Sequence, residues 1–89
     1  MWTIEYEKRA AEELARIDRQ TARRIKNYLD ERIAANDDPR QFGKGLAGSL
    51  SGLWKYRVGD YRIIADIQDE KVVILIVRIG HRRKIYGGH

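Results

Sequence analysis

The sequence predicts a small α+β fold in which a two-helix hairpin packs on one face of an antiparallel sheet. Apolar residues recur at intervals of three and four between residues 7 and 35, which is typical of amphipathic helices. Apolar and polar residues alternate before that stretch and again after residue 52, which is typical of strands. Because 89 residues supply one hydrophobic core, we expect residues 1–89 to form a single domain.

The N-terminal part predicts one strand and two helices. Residues 2–6 alternate aromatic or β-branched side chains with polar ones, and residues 7–17 then follow a helical period. Asp18 is placed to cap a second helix that begins near Arg19 and keeps its period to about Ala35. The outer side of this helix pair is basic, and we interpret it as a solvated face: Arg16, Arg19, Arg23, Arg24 and Lys26.

The C-terminal part predicts a three-stranded meander. Pro39 ends the second helix, since proline disfavours helical geometry in the residue before it. The glycine-rich residues 42–52 predict an irregular crossing with leucines dipping into the core, and Gly43-Lys44-Gly45 lacks the spacing of a phosphate-binding P-loop. The strands are predicted over Leu53–Val58, Tyr61–Gln68 and Lys71–Ile79, separated by Gly59-Asp60 and Asp69-Glu70. Gly-X is a favoured two-residue hairpin loop, whereas Asp-Glu predicts a longer or shifted turn.

Composition excludes several classes of protein. The chain has no cysteine, which excludes disulfides and thiolate metal sites and fits a reducing cytosol, so we expect a cytoplasmic protein. It shows no apolar run of about 20 residues and no signal peptide pattern. Its two histidines are too few for a metal site, and we expect neither metal nor cofactor.

The charge distribution favours a polyanionic partner. The net charge is +5, and residues 53–89 contribute +4 of it. Basic residues gather at the C-terminal end, where Gly80 would let the chain turn away from the sheet. These residues are Arg78, His81, Arg82, Arg83 and Lys84, and Tyr86 follows them.

The hairpin around Gly59-Asp60 predicts a cationic cluster. If its turn has two residues, Arg57 lies opposite Arg62, and Lys55 projects from the same face. The other face then collects bulky residues that suit packing on the helices: Trp54, Tyr56, Val58, Tyr61, Ile63, Ala65 and Ile67. Directly opposed like charges are destabilising, so the cluster predicts a site for an external anion, most simply a phosphate. The alternative is that the three long side chains splay into solvent.

Three segments together resemble the RelE branch of the RelE/ParE toxin superfamily. They are Gly52 to Ile64 (GLWKYRVGDYRII), Asp69 to Ile74 (DEKVVI) and Gly80 to Tyr86 (GHRRKIY). The resemblance implies a toxin of a type II toxin–antitoxin pair, which cuts messenger RNA in the ribosomal A site and is neutralised by a partner antitoxin.

The resemblance also implies the site residues. The active site would consist of Lys55, Arg57, Arg62, Arg82 and Tyr86, and the residues binding RNA or the ribosome would be Arg78, His81, Arg83 and Lys84. The chain departs from some members of the family: Arg57 and His81 stand where those members have lysine. The interval from Lys84 to Tyr86 is also shorter than in certain relatives, which bears on the placement of Tyr86.

The chemistry of RNA cleavage assigns roles to these residues. Attack by a 2′-hydroxyl on the adjacent phosphorus needs a proton acceptor, a proton donor for the departing 5′-oxygen, and cations for the developing charge. Neighbouring cations favour a tyrosinate or a neutral lysine, so Tyr86 or Lys55 is the candidate base. Arg57, Arg62 and Arg82 would stabilise the phosphate, and Arg82 would also donate the proton or position its donor.

Two other functions and one partner follow from the same residues. The ParE branch shares the fold but inhibits DNA gyrase, and it lacks most of this basic and tyrosine set. A plain RNA-binding module is less favoured, because exposed aromatic residues for base stacking are not evident. An acidic antitoxin is expected as partner, because Ile64, Leu75 and Val77 would form an exposed apolar strip if both turns have two residues. Alternatively, the C-terminal tail covers that strip.

Overall fold

The computed structural model describes residues 1–85 and contains a five-stranded mixed sheet with two helices packed on it. The elements are β1 (Thr3–Tyr6), α1 (Lys8–Ala15), α2 (Arg19–Tyr28), β2 (Lys44–Gly45), β3 (Trp54–Val58), β4 (Tyr61–Gln68) and β5 (Val73–His81). The strand order in the sheet is β1-β5-β4-β3-β2. The predicted α+β class, the two helices and the three-stranded meander are confirmed.

The first strand pairs with the last, which makes the sheet mixed. β1 runs parallel to β5, with Thr3 opposite Val73 and Tyr6 opposite Ile76. β5 therefore lies between two strands, and its nearly continuous apolar sequence is typical of a strand covered on both sides. The meander on the other side of β5 is antiparallel, as the sequence predicts.

The second helix begins at its predicted cap and widens towards its end. The Asp18 side chain accepts a hydrogen bond from the backbone N–H of Thr21 at 3.0 Å. After Tyr28 the chain continues as a π-helical segment over Leu29–Ala34, so the predicted extent is correct but the last turns are not α-helical. No helix within residues 1–85 is long and apolar enough to cross a bilayer.

The core lies between the helices and one face of the sheet. Its buried residues are Ala10, Ile25, Leu29, Ile33, Tyr56, Val58, Ile63, Ala65, Ile74, Ile76 and Ile79. The bulky face predicted for the hairpin supplies four of these residues, and the partly buried Tyr61 packs against them. The charged residues Lys55, Arg57 and Arg62 therefore project from the opposite face of the hairpin.

The turn between β4 and β5 is longer than two residues, as Asp69-Glu70 predicts, whereas the apolar strip, which assumes a two-residue turn, needs correction. It spans residues 69–72, and Val72 adopts a left-handed conformation with φ of 56°. A register shift farther along leaves Val77 without a directly opposed residue in β4. Ile64 is only 3% exposed, and Leu75 is half-buried, so the predicted exposed apolar strip is wrong.

The glycine-rich crossing also differs from its prediction. Lys44 and Gly45 form β2 and pair with Lys55 and Trp54 of β3. Leu50 is 39% exposed and does not reach the core. A two-residue strand is too short to show alternation, and its pairing depends on where the preceding loop is anchored.

Two contacts hold that loop in place. The buried Tyr56 hydroxyl donates a hydrogen bond to the carbonyl of Pro39, and burial raises the pKa of Tyr56, so the phenol keeps its proton. The Arg40 guanidinium donates two hydrogen bonds to the Asp69 carboxylate, at 3.0 and 2.6 Å, and lies 5.6 Å from the ring centroid of Trp54. The loop is therefore tied both to the sheet and to the β4–β5 turn.

We expect Gly43→Ala to destabilise the fold, because Gly43 lies directly on the Tyr56 ring. A Cβ atom at position 43 would approach Cε1 of Tyr56 to 2.9 Å, and the buried ring has no room to retreat. The expected loss in free energy of unfolding is about 1–3 kcal/mol, measured by urea denaturation. Gly45→Ala is the matched control, since its Cβ would meet Trp54 at 3.7 Å, an ordinary contact. Equal stability of the two variants would contradict this packing.

Candidate active site

The β3–β4 hairpin places the cationic residues as the sequence predicts. Its turn has two residues, and Gly59 adopts φ of 59°, a conformation that glycine enters at little cost. Arg57 therefore lies directly opposite Arg62. Lys55 lies opposite Ile64, two residues along on the same face. This register is confirmed.

The short strand β2 adds a fourth cation to this face. Lys44 lies opposite Lys55, so four basic residues project from three adjacent strands, and we call Lys44, Lys55, Arg57 and Arg62 the cationic face. They line an open concavity of about 300 Å³ together with Phe42 and Gly43. In the sequence, Lys44 stands out only within Gly43-Lys44-Gly45, which lacks the spacing of a P-loop. The pairing of Lys44 with β3, which brings it to this face, has no signal in the sequence.

A second concavity, of about 610 Å³, lies next to the first, since Arg57 and Arg62 line both. Arg82 and Arg24 also line it, and Arg24 comes from the helix face interpreted as merely solvated. The backbone N–H of Arg82 donates to the carbonyl of Asp60 at 2.7 Å, which fixes the start of the C-terminal segment beside the hairpin. The structure thus brings Arg82 next to Arg57 and Arg62.

The charges of this site are weakly compensated. Within residues 1–85, no ion pair involves Lys44, Arg57 or Arg62. Arg82 pairs with Asp60 at 3.5 Å, but both side chains are at least half exposed, and such pairs contribute little stability. Arg62 donates from Nη1 to the backbone carbonyls of Gly59 and Tyr61, at 3.1 and 3.0 Å. These bonds orient the guanidinium without neutralising it.

The remaining basic residues lie apart from the cationic face or at its border. Arg78 forms an ion pair with Glu13 of α1 at 3.1 Å, and the same carboxylate accepts a hydrogen bond from the backbone of Ile79. Arg78 lines neither of the two concavities. His81 packs edge-on against Tyr61, with ring centroids 5.7 Å apart. Arg83 and Lys84 are exposed in the turn after β5. The predicted residue Tyr86 lies outside the described residues.

The tyrosines that lie in the core or pack against it are poor candidates for a general base. Burial raises the pKa of Tyr6 to about 12, with a further contribution from the negative charge of Asp30. Burial also raises the pKa of Tyr56 and of Tyr28. Deprotonating any of these near neutral pH would be costly. A base for chemistry on the cationic face must therefore come from elsewhere.

Known proteins are similar to this chain in both sequence and fold. A family model for the ParE toxin of the type II toxin–antitoxin system parDE matches residues 4–86. Toxin RelG of Mycobacterium tuberculosis is 36% identical, over 74% of this chain and 87% of that protein. Toxin RelE of the same organism is 34% identical, over 74% and 78%. A chain of the M. tuberculosis toxin–antitoxin complex RelBE2 superposes with a TM-score of 0.83 at 25% identity, covering 91% of each chain.

The class of protein follows from these matches together with the fold. The chain belongs to the RelE/ParE superfamily of toxins from type II toxin–antitoxin systems and, through these relatives, to its RelE branch. The resemblance drawn from the three sequence segments is thereby confirmed.

Proposed function

We propose that this toxin is an endoribonuclease that acts in the cytoplasm and cuts messenger RNA in the ribosomal A site. The observation that carries the proposal is the directly opposed pair Arg57–Arg62, flanked by Lys44 and Lys55. Arranging like charges opposite each other costs stability unless an anion joins them. The phosphodiester backbone of RNA supplies that anion.

The reaction is an intramolecular transfer within the RNA. The 2′-hydroxyl loses its proton to a base and forms a bond to the adjacent phosphorus, while the bond from phosphorus to the 5′-oxygen breaks and that oxygen takes up a proton. The products are a 2′,3′-cyclic phosphate and a 5′-hydroxyl. The phosphorane transition state carries extra negative charge, which preorganised cations stabilise.

The side chains divide these tasks. Arg57 and Arg62 bind the non-bridging phosphate oxygens, because both line the two concavities. Arg82 also lines the second concavity and positions the proton donor for the 5′-oxygen. The base is Lys55 on the cationic face or Tyr86 from the C-terminal segment. The flanking RNA or ribosomal RNA is bound by His81, Arg83 and Lys84. Arg78 contributes to this binding only when its ion pair with Glu13 is broken.

The requirement for the ribosome follows from the chemistry of this site. Within residues 1–85, the two concavities are lined by cations and by no histidine, so the RNA must be delivered already in an in-line geometry. We expect rapid cleavage of messages on ribosomes, between nucleotides of the A-site codon, and little cleavage of naked RNA. Brief induction in cells followed by mapping of message ends tests the proposal.

Inhibition of DNA gyrase is the competing outcome of this experiment. The family model that matches is described as the ParE toxin, which is the observation in its favour. Intact messages together with loss of gyrase supercoiling activity would move the function to that branch. Equal cleavage of free RNA and ribosome-bound RNA would instead remove the ribosome requirement.

We also expect a small acidic antitoxin to bind this toxin tightly and abolish its activity. Relatives of this fold have been solved in complex with RelB antitoxins, and the net charge of +5 favours an acidic partner. The measurement is co-purification and titration with the product of the neighbouring gene. A toxin that remains monomeric and fully active in excess of that product would contradict the pairing.

A further inference from the structure

Among residues 1–85, Phe42 is the one aromatic side chain that lines the concavity over the cationic face. It is 41% exposed, although a phenylalanine of this size is ordinarily buried. It lines the same concavity as Lys44, Lys55, Arg57 and Arg62. This exposure is not evident from the sequence, and it supplies an aromatic ring for base stacking that the sequence analysis does not identify.

The loop that carries Phe42 is anchored both before and after this residue along the chain. Before it, the carbonyl of Pro39 accepts the hydrogen bond of Tyr56, and Arg40 is clamped by Asp69. After it, Gly43 packs on the Tyr56 ring, so closely that no larger residue fits there. Because these contacts anchor the loop before and after Phe42, they keep its side chain exposed to solvent.

Its neighbours indicate what would cover the ring. An exposed aromatic ring beside several cations offers a stacking surface and electrostatic attraction together, which is how proteins bind single-stranded nucleic acid. Lys44 follows Phe42 by two residues and projects into the same concavity. Leu50 is a useful contrast, since it is similarly exposed, at 39%, but does not line the concavity.

We infer that Phe42 and Lys44 form a nucleotide subsite beside the scissile phosphate. The phenyl ring of Phe42 stacks on the base adjacent to the cleavage point, and the ammonium group of Lys44 binds the next phosphate along the strand. The inference rests on the proposed function, because it assumes that the RNA lies across the cationic face. Its consequence is that Phe42 positions the RNA and contributes to the choice of sequence.

The test compares the kinetics of message cleavage on ribosomes for Phe42→Ala, Phe42→Trp and Leu50→Ala. Phe42→Ala is expected to raise KM by tenfold or more with kcat nearly unchanged, and Phe42→Trp is expected to stay near the parent, because tryptophan stacks at least as well. Leu50→Ala should behave as the parent. Lys44→Met should raise KM and also weaken its dependence on salt, since one phosphate contact is lost.

Two results would overturn the inference while leaving the proposed function intact. One is cleavage by Phe42→Ala with the same KM as Leu50→Ala. The other is full activity of Phe42→Ala combined with loss of antitoxin binding, which would assign the ring to a protein interface. Thermal unfolding of each variant shows whether the fold is retained.

A binding measurement separates the subsite from cleavage. A short RNA that carries the fluorescent base 2-aminopurine, and a 2′-O-methyl group on every ribose, has no free 2′-hydroxyl to attack the phosphorus, so it resists cleavage but retains its bases and phosphates. The parent protein should quench its fluorescence by stacking, and Phe42→Ala should not. If the parent cuts no message but this difference persists, the proposed function fails, and Phe42 is a base-stacking site for RNA that is not beside a scissile phosphate. If parent and variant quench equally, the subsite is wrong.

Discussion

Replacing Arg62 with alanine is expected to lower the rate of message cleavage by about 10²–10³ while leaving the fold intact. Losing one preorganised contact to the charge that develops in the transition state typically has an effect of this size. Arg62 lies opposite Arg57 and lines both concavities, so it is placed to contact a phosphate bound in either of them. Single-turnover cleavage on ribosomes measures the effect.

The stability of this variant should change little. Arg62→Ala removes two hydrogen bonds to turn carbonyls, one exposed and one half-buried, but it also relieves the repulsion from Arg57. These effects oppose each other, so the free energy of unfolding should stay within about 1 kcal/mol of the parent. Arg23→Ala, an exposed arginine on α2 that lines neither concavity, is the matched control.

Two outcomes would contradict the phosphate-binding role. If Arg62→Ala unfolds the domain, the arginine has a structural role that its exposed contacts do not suggest. If it cuts messages as fast as Arg23→Ala, the cationic face does not bind the scissile phosphate. Activity and melting must be measured on the same preparations, because a partly unfolded sample would imitate a catalytic defect.

Removing the general base should have a comparable or larger effect, about 10²–10⁴ in kcat. Tyr86→Phe keeps the ring and deletes only the hydroxyl. If Tyr86 is the base, this variant loses cleavage while its melting temperature and antitoxin binding persist. If Tyr86 only packs, cleavage survives, and Lys55→Met, which keeps the length of the side chain without its amine, becomes the inactive variant.

The pH dependence of the rate distinguishes a base from a phosphate contact. A variant that has lost the base should lose the rise in rate with increasing pH that deprotonation of the base gives the parent. A variant that has lost only a phosphate contact should show a lower rate with the same dependence on pH. If both Tyr86→Phe and Lys55→Met keep the parent profile, neither residue is the base.

The local part of the site was predictable from the sequence because short turns determine the register of hairpins. Gly59 and Asp60 can close a two-residue loop, and that loop alone places Arg57 opposite Arg62. The Asp18 cap was predictable for a similar reason, since its hydrogen bond reaches only three residues along the chain. In both cases, neighbours in sequence determine the geometry.

The parts that depend on distant contacts were not predictable. Alternation marks β1 as a strand but does not indicate that it runs parallel to β5. β2 is too short to show a period, and its loop is anchored by the pair Arg40–Asp69, which lie 29 residues apart. Lys44 and Phe42 reach the cationic face only through that anchoring. The longer turn at residues 69–72 likewise invalidated the predicted apolar strip.

One measurement tests the central claim most directly: cleavage of a synthetic message on purified ribosomes, with and without the 2′-hydroxyl at the cleaved nucleotide. The parent toxin should cut the all-RNA message within the A-site codon and leave a 2′,3′-cyclic phosphate. A message with a single 2′-deoxyribose at that nucleotide should remain intact, because the attacking group is gone. Cleavage of the deoxy message at the same position and at an undiminished rate would contradict the account.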